Sequence, residues 1–200
     1  MPRPKQRTPE LRDRVLDAAL GLLARDGVAG FTARAVASEA ATSSPAVYEL
    51  FGDKAGLLRE VFFAGFCLLR AELDALPRTA DTRADLVALA GAYREFGRAN
   101  PVLAQLMFAQ PFADFDPGEA ELDAGAEVRG HVVERVRRAV EAGVLQGDPV
   151  DVAHVMVALA QGLLAAEAGG RLGHARGAVD RRWELAVGAV LDGLRPSGRD

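Results

Sequence analysis

FTARAVASEAATSSPAVYELFGDKAGLL, running from Phe31 to Leu58, places two hydroxyl residues where helices can begin and a tight turn between them. Thr32 precedes Ala33–Glu39, a segment of barely two turns, and Phe31 is positioned to staple against Val36. Ala40-Ala41-Thr42 forms the turn. Ser43 then caps a further helix from Ser44 to about Phe51, in which Pro45 is tolerable only because it falls in the first turn. Val47 and Phe51 are assigned to the core. Two short helices across a tight turn, the second presenting small residues at its start, form a helix-turn-helix pattern, in which one helix crosses the DNA backbone while the next enters the major groove.

Working outward, Thr8-Pro9-Glu10 has the order of a helix start, and Leu11, Val15, Ala18, Ala19, Leu22 and Leu23 follow on one face. That helix should end near Asp26-Gly27, where glycine supplies a left-handed residue, before a break at Val28-Ala29-Gly30. Downstream, the spacing predicts a long helix over Lys54–Leu76, stopped by Pro77. Further helices are predicted over Thr82–Ala99, Val102–Gln110, Glu119–Ala142, Pro149–Ala168 and Val179–Leu194, with Asp148 capping the fourth of these five. Phe112–Gly118 reads as a loop. The expected fold is all-α.

The 200 residues are 50% hydrophobic and 26% charged, which suffices for a sizeable core, while 6% aromatics and the lack of hairpin dipeptides disfavour a β fold. The net charge of −4 conceals an asymmetry: residues 1–62 hold nine basic and eight acidic groups, and the remainder 15 and 20. An anionic partner is thus admissible at the N-terminal end, but overall acidity opposes indiscriminate coating of nucleic acid. The longest charge-free windows, Val152–Ala166 and Ala99–Ala113, have 15 residues, short of a membrane span, so no bilayer crossing is expected. Met1–Arg7 is basic with no apolar run behind it, unlike a secretory signal, and a cytoplasmic location is expected. A single cysteine, Cys67, precludes an intrachain disulfide, and its neighbours Phe66 and Leu68 predict a buried thiol. His131, His154 and Cys67 lack metal-ligand spacing, and no nucleophile elbow or phosphate-cradling glycine loop is present, so neither an enzyme nor a metal or other cofactor is expected.

From Gly27 through Leu58, and over roughly residues 10–60, the sequence resembles the TetR family of bacterial transcriptional regulators. Tyr48, Phe51, Lys54 and the Leu57-Leu58 pair stand at that family's spacing behind a matching helix pair. The resemblance implies a homodimer in which residues 1–53 bind double-stranded DNA, with residues 1–8 a flexible basic arm, and residues 54–200 form a helical ligand-sensing and dimerisation domain. It implies phosphate contacts from Tyr48 and Lys54 and a DNA contact from Arg34. Ser43 and Ser44 at the helix start can meet phosphate, Pro45 and Ala46 can meet a thymine methyl, and Thr32 is a cap that can also touch DNA. Arg3, Lys5 and Arg7 could add contacts from the arm. Core packing remains the structural alternative for Tyr48, and a solvated charge that for Lys54. The sequence departs from the family at Ala41, where glycine is common, at Thr42, often valine, and at Leu50, often histidine. Glu49 adds an acid that could accept from cytosine or repel phosphate.

Beyond residue 80, Tyr93-Arg94-Glu95-Phe96 through Leu106-Met107-Phe108 resembles a subgroup with a Trp/His-Gly signature, although Gln161-Gly162 fills the His-Gly place and the tryptophan is missing. The family's C-terminal half implies a small-molecule effector. Phe62, Phe66, Phe96, Met107, Phe108 and Phe112 are the candidate apolar lining, with His131, His154 or Gln161 as polar handle and ordinary core as the alternative. For the dimer, Ala158, Ala165, Ala186 and Ala189 would permit close helix approach, with Trp183, Leu191 and Leu194 as anchors. The expected function is a ligand-responsive regulator, most simply a repressor released from a palindromic operator by a mainly hydrophobic molecule. A helical binding protein that has lost DNA recognition is the alternative raised by Glu49 and Leu50.

Overall fold

The computed structural model describes residues 8–109, 119–175 and 177–196. The arm residues Arg3, Lys5 and Arg7, the loop Phe112–Gly118 and the candidate lining residue Phe112 lie outside them. Nine helices and no strand occur among the described residues: α1 (Pro9–Gly30), α2 (Ala33–Glu39), α3 (Ser44–Phe51), α4 (Lys54–Asp74), α5 (Thr82–Ala99), α6 (Pro101–Ala109), α7 (Glu119–Glu141), α8 (Pro149–Ala168) and α9 (Ala178–Gly193). α1 breaks its regular geometry at Gly27, whose φ of 66° lies in the left-handed region, so the helix kinks where the sequence predicts its end.

Packing divides the chain into two compact units. The first contains α1, α2, α3, α6 and α4 as far as Phe66, and the second contains α4 from Cys67, α5, α7 from Asp123, α8 and α9. In the first unit α1 packs on α2 and α6, and α2 on α3. Leu57, Leu58, Val61 and Phe62 are all buried, which ties the first turns of α4 to this unit, whereas the expected domain boundary stood at residue 53. Gly65 lets α6 approach closely: a Cβ there would stand 2.6 Å from Met107 Sδ and 3.0 Å from a Leu103 methyl. In the second unit α5, α8 and α9 pack on one another. A Cβ at Gly97 would meet Leu164 at 2.3 Å, so glycine is what admits α8 against α5.

Cys67 is exposed, contrary to the expected buried thiol. Helical residues one apart point about 100° apart, so burial of Phe66 and Leu69 leaves Cys67 and Leu68 on the outer side. Partial desolvation, together with Glu127 and against Arg70, pushes its thiol pKa up, which disfavours the reactive thiolate.

α8 is long and apolar enough to cross a membrane by length and composition alone, although its longest charge-free window falls short of a span, and 28% of the apolar window is buried within the chain. Its ends carry an Asp148 side chain that caps the Val150 and Asp151 amides, and a Glu167 held by Arg94.

Candidate functional site

The helix pair in the first unit has one packed side and one open side. Phe31 and Val36 are fully buried, and Ala37, Val47 and Phe51 are nearly so. The other side exposes Thr32, Arg34, Ser43, Pro45, Tyr48, Glu49 and Lys54, with Ser44 and Ala46 half-buried. Tyr48 is 46% exposed, which removes the core-packing alternative for that ring. All eight residues singled out for DNA therefore occur on accessible surface of α2, α3 and the first residue of α4.

Local chemistry fixes this arc. Thr32 Oγ1 accepts from the Ala35 amide at 3.1 Å and Ser43 Oγ from the Ala46 amide at 3.3 Å, so both hydroxyls cap helices as the sequence order predicts. A hydroxyl that accepts in this way still has its own proton to donate outward. Pro45 has no N–H, and the Ala46 amide is already taken by Ser43. The start of α3 thus offers an anion fewer donors than its capping order alone implies. Between the helices Ala41 adopts φ 51°, the left-handed turn conformation in which glycine carries no steric cost.

The entry to α4 is equally constrained. Asp53 Oδ1 accepts from the Gly56 amide at 2.7 Å, and a Cβ at Gly56 would stand 1.9 Å from the Phe51 carbonyl oxygen. Glycine is therefore required for α4 to leave α3 at this angle, and that departure sets where Lys54 stands. Lys54 Nζ lies 6.0 Å from the centre of the Phe31 ring. Arg12, which sequence reasoning missed, ties α1 to this corner: its guanidinium sits 4.9 Å over the Phe51 ring, donates to the Leu50 carbonyl at 3.4 Å and pairs with Glu60. No local motif marks Arg12, because its partners are 38 or more positions away.

The candidate effector residues behave differently. Within the first unit Phe62 and Phe66 meet edge to face with ring centres 4.9 Å apart, and Phe66 meets Phe108 at 6.2 Å. Met107 is buried beside Gly65. These rings fill one another's space as core. In the second unit Phe96 is fully buried, and Gln161 is half-buried near the Tyr93 hydroxyl. Desolvation dominates at Tyr93 and raises its pKa, so the phenol remains protonated. His131 is engaged by Asp74 at 3.0 Å and by the Arg135 Nε–H at 3.4 Å; burial lowers its pKa despite Asp74. His154 is exposed, its Nδ1 2.8 Å from the Val150 carbonyl of its own helix.

A small apolar cavity in the second unit is lined by Leu73, Leu89, Ala90, Tyr93, Val132, Met156, Val157 and Ala160. None of the eight described candidates lines it. The reasoning by ring size missed these aliphatic residues, whose only signal was helical spacing on α4, α5, α7 and α8. The one polar group in this lining with a titratable proton is Tyr93.

Two polar clusters in the second unit also escaped sequence reasoning. Arg135, 1% exposed, donates to the carbonyls of Leu73 (3.3 Å), Leu76 (2.9 Å) and Pro77 (3.0 Å), closing the end of α4 from inside the fold. Asp85, 4% exposed, accepts from the Thr79 amide and hydroxyl and from Arg138. Burial pushes its carboxyl up, and these hydrogen bonds more than reverse that, holding it below the ordinary aspartate value. Trp183 is buried, donates to Glu167 at 2.7 Å and stacks under Arg94, while Leu191 is fully buried. Both are core residues of their own chain and not dimer anchors. The large exposed apolar residues of α8 and α9 are instead Val150 at 45%, Val155 at 52% and Leu185 at 72%.

Comparison with known proteins matches these two halves separately. Residues 15–61 match the model for bacterial regulatory proteins of the tetR family, and residues 86–190 match a tetracyclin repressor-like C-terminal domain. A nicotine-responsive transcriptional repressor of the helix-turn-helix type from Paenarthrobacter nicotinovorans is 35% identical over 83 residues, a match that spans 42% of this chain and 41% of that repressor. A structure from Rhodococcus sp. RHA1, of a protein with unknown function, is 31% identical, covers 97% of this chain and 100% of its own, and superposes with a TM-score of 0.82. The regulator FadR from Bacillus subtilis, solved with stearoyl-CoA, shares the fold at 10% identity with a TM-score of 0.74, over 92% of this chain and all of its own. Since the C-terminal match alone spans more than half of the chain and the helix-turn-helix falls within the other, the protein belongs to the TetR family of DNA-binding transcriptional regulators.

Proposed function

We propose that the protein is a repressor that binds a palindromic operator as a homodimer through α3 and is released by a small, mainly apolar effector. The observation that carries the DNA half is the exposure of Thr32, Arg34, Ser43, Pro45, Tyr48 and Lys54, with Ser44 and Ala46 half-buried, beside buried Phe31, Val36, Ala37, Val47 and Phe51. Lys54, Tyr48 and the Ser43 and Ser44 hydroxyls address phosphates and set register, whereas Arg34, Pro45 and Ala46 meet base edges. The alternative, a helical binding protein without DNA recognition, draws on Glu49 and Leu50. Joint exposure of Tyr48, Lys54 and Arg34 on one arc favours the operator reading.

The dimer is assigned to α8 and α9. Val155, Ala158, Gly162 and Ala165 recur at three- and four-residue spacing on the exposed side of α8, and Leu185 and Ala189 are exposed on α9. Small residues there admit a twofold mate at close range. For the effector, the aliphatic cavity around Tyr93 supports an apolar ligand with one hydrogen-bonding group. α4 contributes Lys54 to the DNA face and Leu73 to the cavity lining, which makes it the covalent link between ligand and operator. An effector that prefers one arrangement of α4 by about 1–3 kcal/mol would weaken operator binding roughly 5- to 150-fold.

Selection from random duplexes at low salt tests the reading. Enrichment of a twofold-symmetric sequence supports it, and recovery of no enriched sequence contradicts it.

A further inference from the structure

We infer that Glu49 is the residue of α3 that reads a base by hydrogen bonding, and that it selects a cytosine at one position in each half-site through the N4 amino group. The inference rests on the operator reading above. Val47 and Phe51, 1% and 8% exposed, define the packed side of α3. At about 100° per residue Glu49 stands about 160° from each of them, so it occupies the middle of the open side, with Pro45 and Tyr48 on one flank and Ala46 and Leu50 on the other. The segment Ser44–Phe51 contains no lysine or arginine, and its remaining exposed or half-buried residues are a serine, a proline, an alanine, a tyrosine and a leucine. When the open side of α3 faces a major groove, the residue at the middle of that side is an acid.

An ionised carboxylate only accepts hydrogen bonds. The major groove offers amino donors on cytosine N4 and adenine N6. Adenine places its N7 acceptor beside N6, so the second carboxylate oxygen would face a lone pair, an arrangement that suits an amide and repels an acid. Cytosine presents N4 without a neighbouring acceptor on the same base. A carboxylate at position 49 therefore fits cytosine, and an amide would fit adenine. Against any other base the acid finds no well-placed donor in the groove while standing among phosphates, so it also discriminates by penalty.

The test is selection from random duplexes by the full chain, its Glu49→Gln variant and its Glu49→Ala variant, followed by affinity measurement on single-site variants of the enriched duplex. The Glu49→Gln change is nearly isosteric at an exposed position, and equal melting temperatures verify the fold. The wild-type protein should enrich a C·G pair at one position per half-site and favour it over A·T by about 5- to 150-fold. Glu49→Gln should turn that position alone toward adenine, and Glu49→Ala should erase preference there alone. Identical enriched sequences for all three proteins, with both variants binding every duplex more tightly, would reduce Glu49 to phosphate repulsion and overturn the inference while leaving the operator reading intact. No enrichment by any of the three would overturn both.

Discussion

Single residues at turns and buried polar positions carry more of this structure than their chemistry advertises. Gly56 is the sharpest case: a methyl group there would overlap the Phe51 carbonyl oxygen, which belongs to backbone and cannot rotate away. Gly56→Ala is expected to destabilise the first unit by roughly 1–3 kcal/mol and to weaken DNA binding with it, checked by thermal melting alongside operator affinity. Asp85 makes a pH-dependent contribution. Its carboxyl is held below the value of about 3.9 that an unfolded chain gives it, so ionised Asp85 stabilises the fold fully above that value. The contribution is lost as pH falls below about 4 and through the folded value. Asp85→Asn should thus be less stable than the parent by about 1–2 kcal/mol at pH 7, with the gap narrowing at about pH 3, as read by urea unfolding. Neither residue was legible beforehand. Gly56 could be quoted as part of a family pattern, but its reason is a contact with Phe51, and Asp85 depends on Arg138, 53 positions away.

Helical elements were legible where their signals are local. Thr32, Ser43 and Asp148 each sit one residue before a helix and accept from its first amides, so α2, α3 and α8 begin where a capping side chain says they must. The end of α4 had no such signal. It comes two residues before Leu76, and its last carbonyls are satisfied by Arg135 from α7, some 60 positions on. Faces of helices were harder to assign than their limits. Trp183 was expected to look outward as a dimer anchor, yet its indole N–H finds Glu167 and its ring Arg94 within the same chain. Val155 and Leu185 are the most exposed large apolar residues of α8 and α9, and a charge placed at either should oppose close approach of a second copy. Leu185→Glu combined with Val155→Asp is expected to sediment as a monomer at micromolar concentration with its melting transition retained. A dimer that survives both changes would move the interface off α8 and α9.

At the scale of the molecule, the helix-turn-helix was legible because it is short, local and capped. The cavity was not legible, because it is assembled from aliphatic residues of four helices that no spacing rule relates. Lys54 belongs to the account as a whole, since it opens the helix that enters both units. Lys54→Ala should weaken binding to all sequences alike and lower the salt dependence of affinity by about one unit of slope, in contrast to the sequence-dependent effect of a base-reading residue. The central claim, that two copies of α3 read one operator, is tested most directly by footprinting the full chain on the duplex recovered by selection. Two protected major-groove patches, related by a twofold axis and centred about 10–10.5 base pairs or a multiple of that apart, are predicted, with protection lost together at both patches in the double variant Tyr48→Ala with Lys54→Ala. A single protected patch, or protection that persists unchanged when Tyr48 and Lys54 are both removed, would contradict the account.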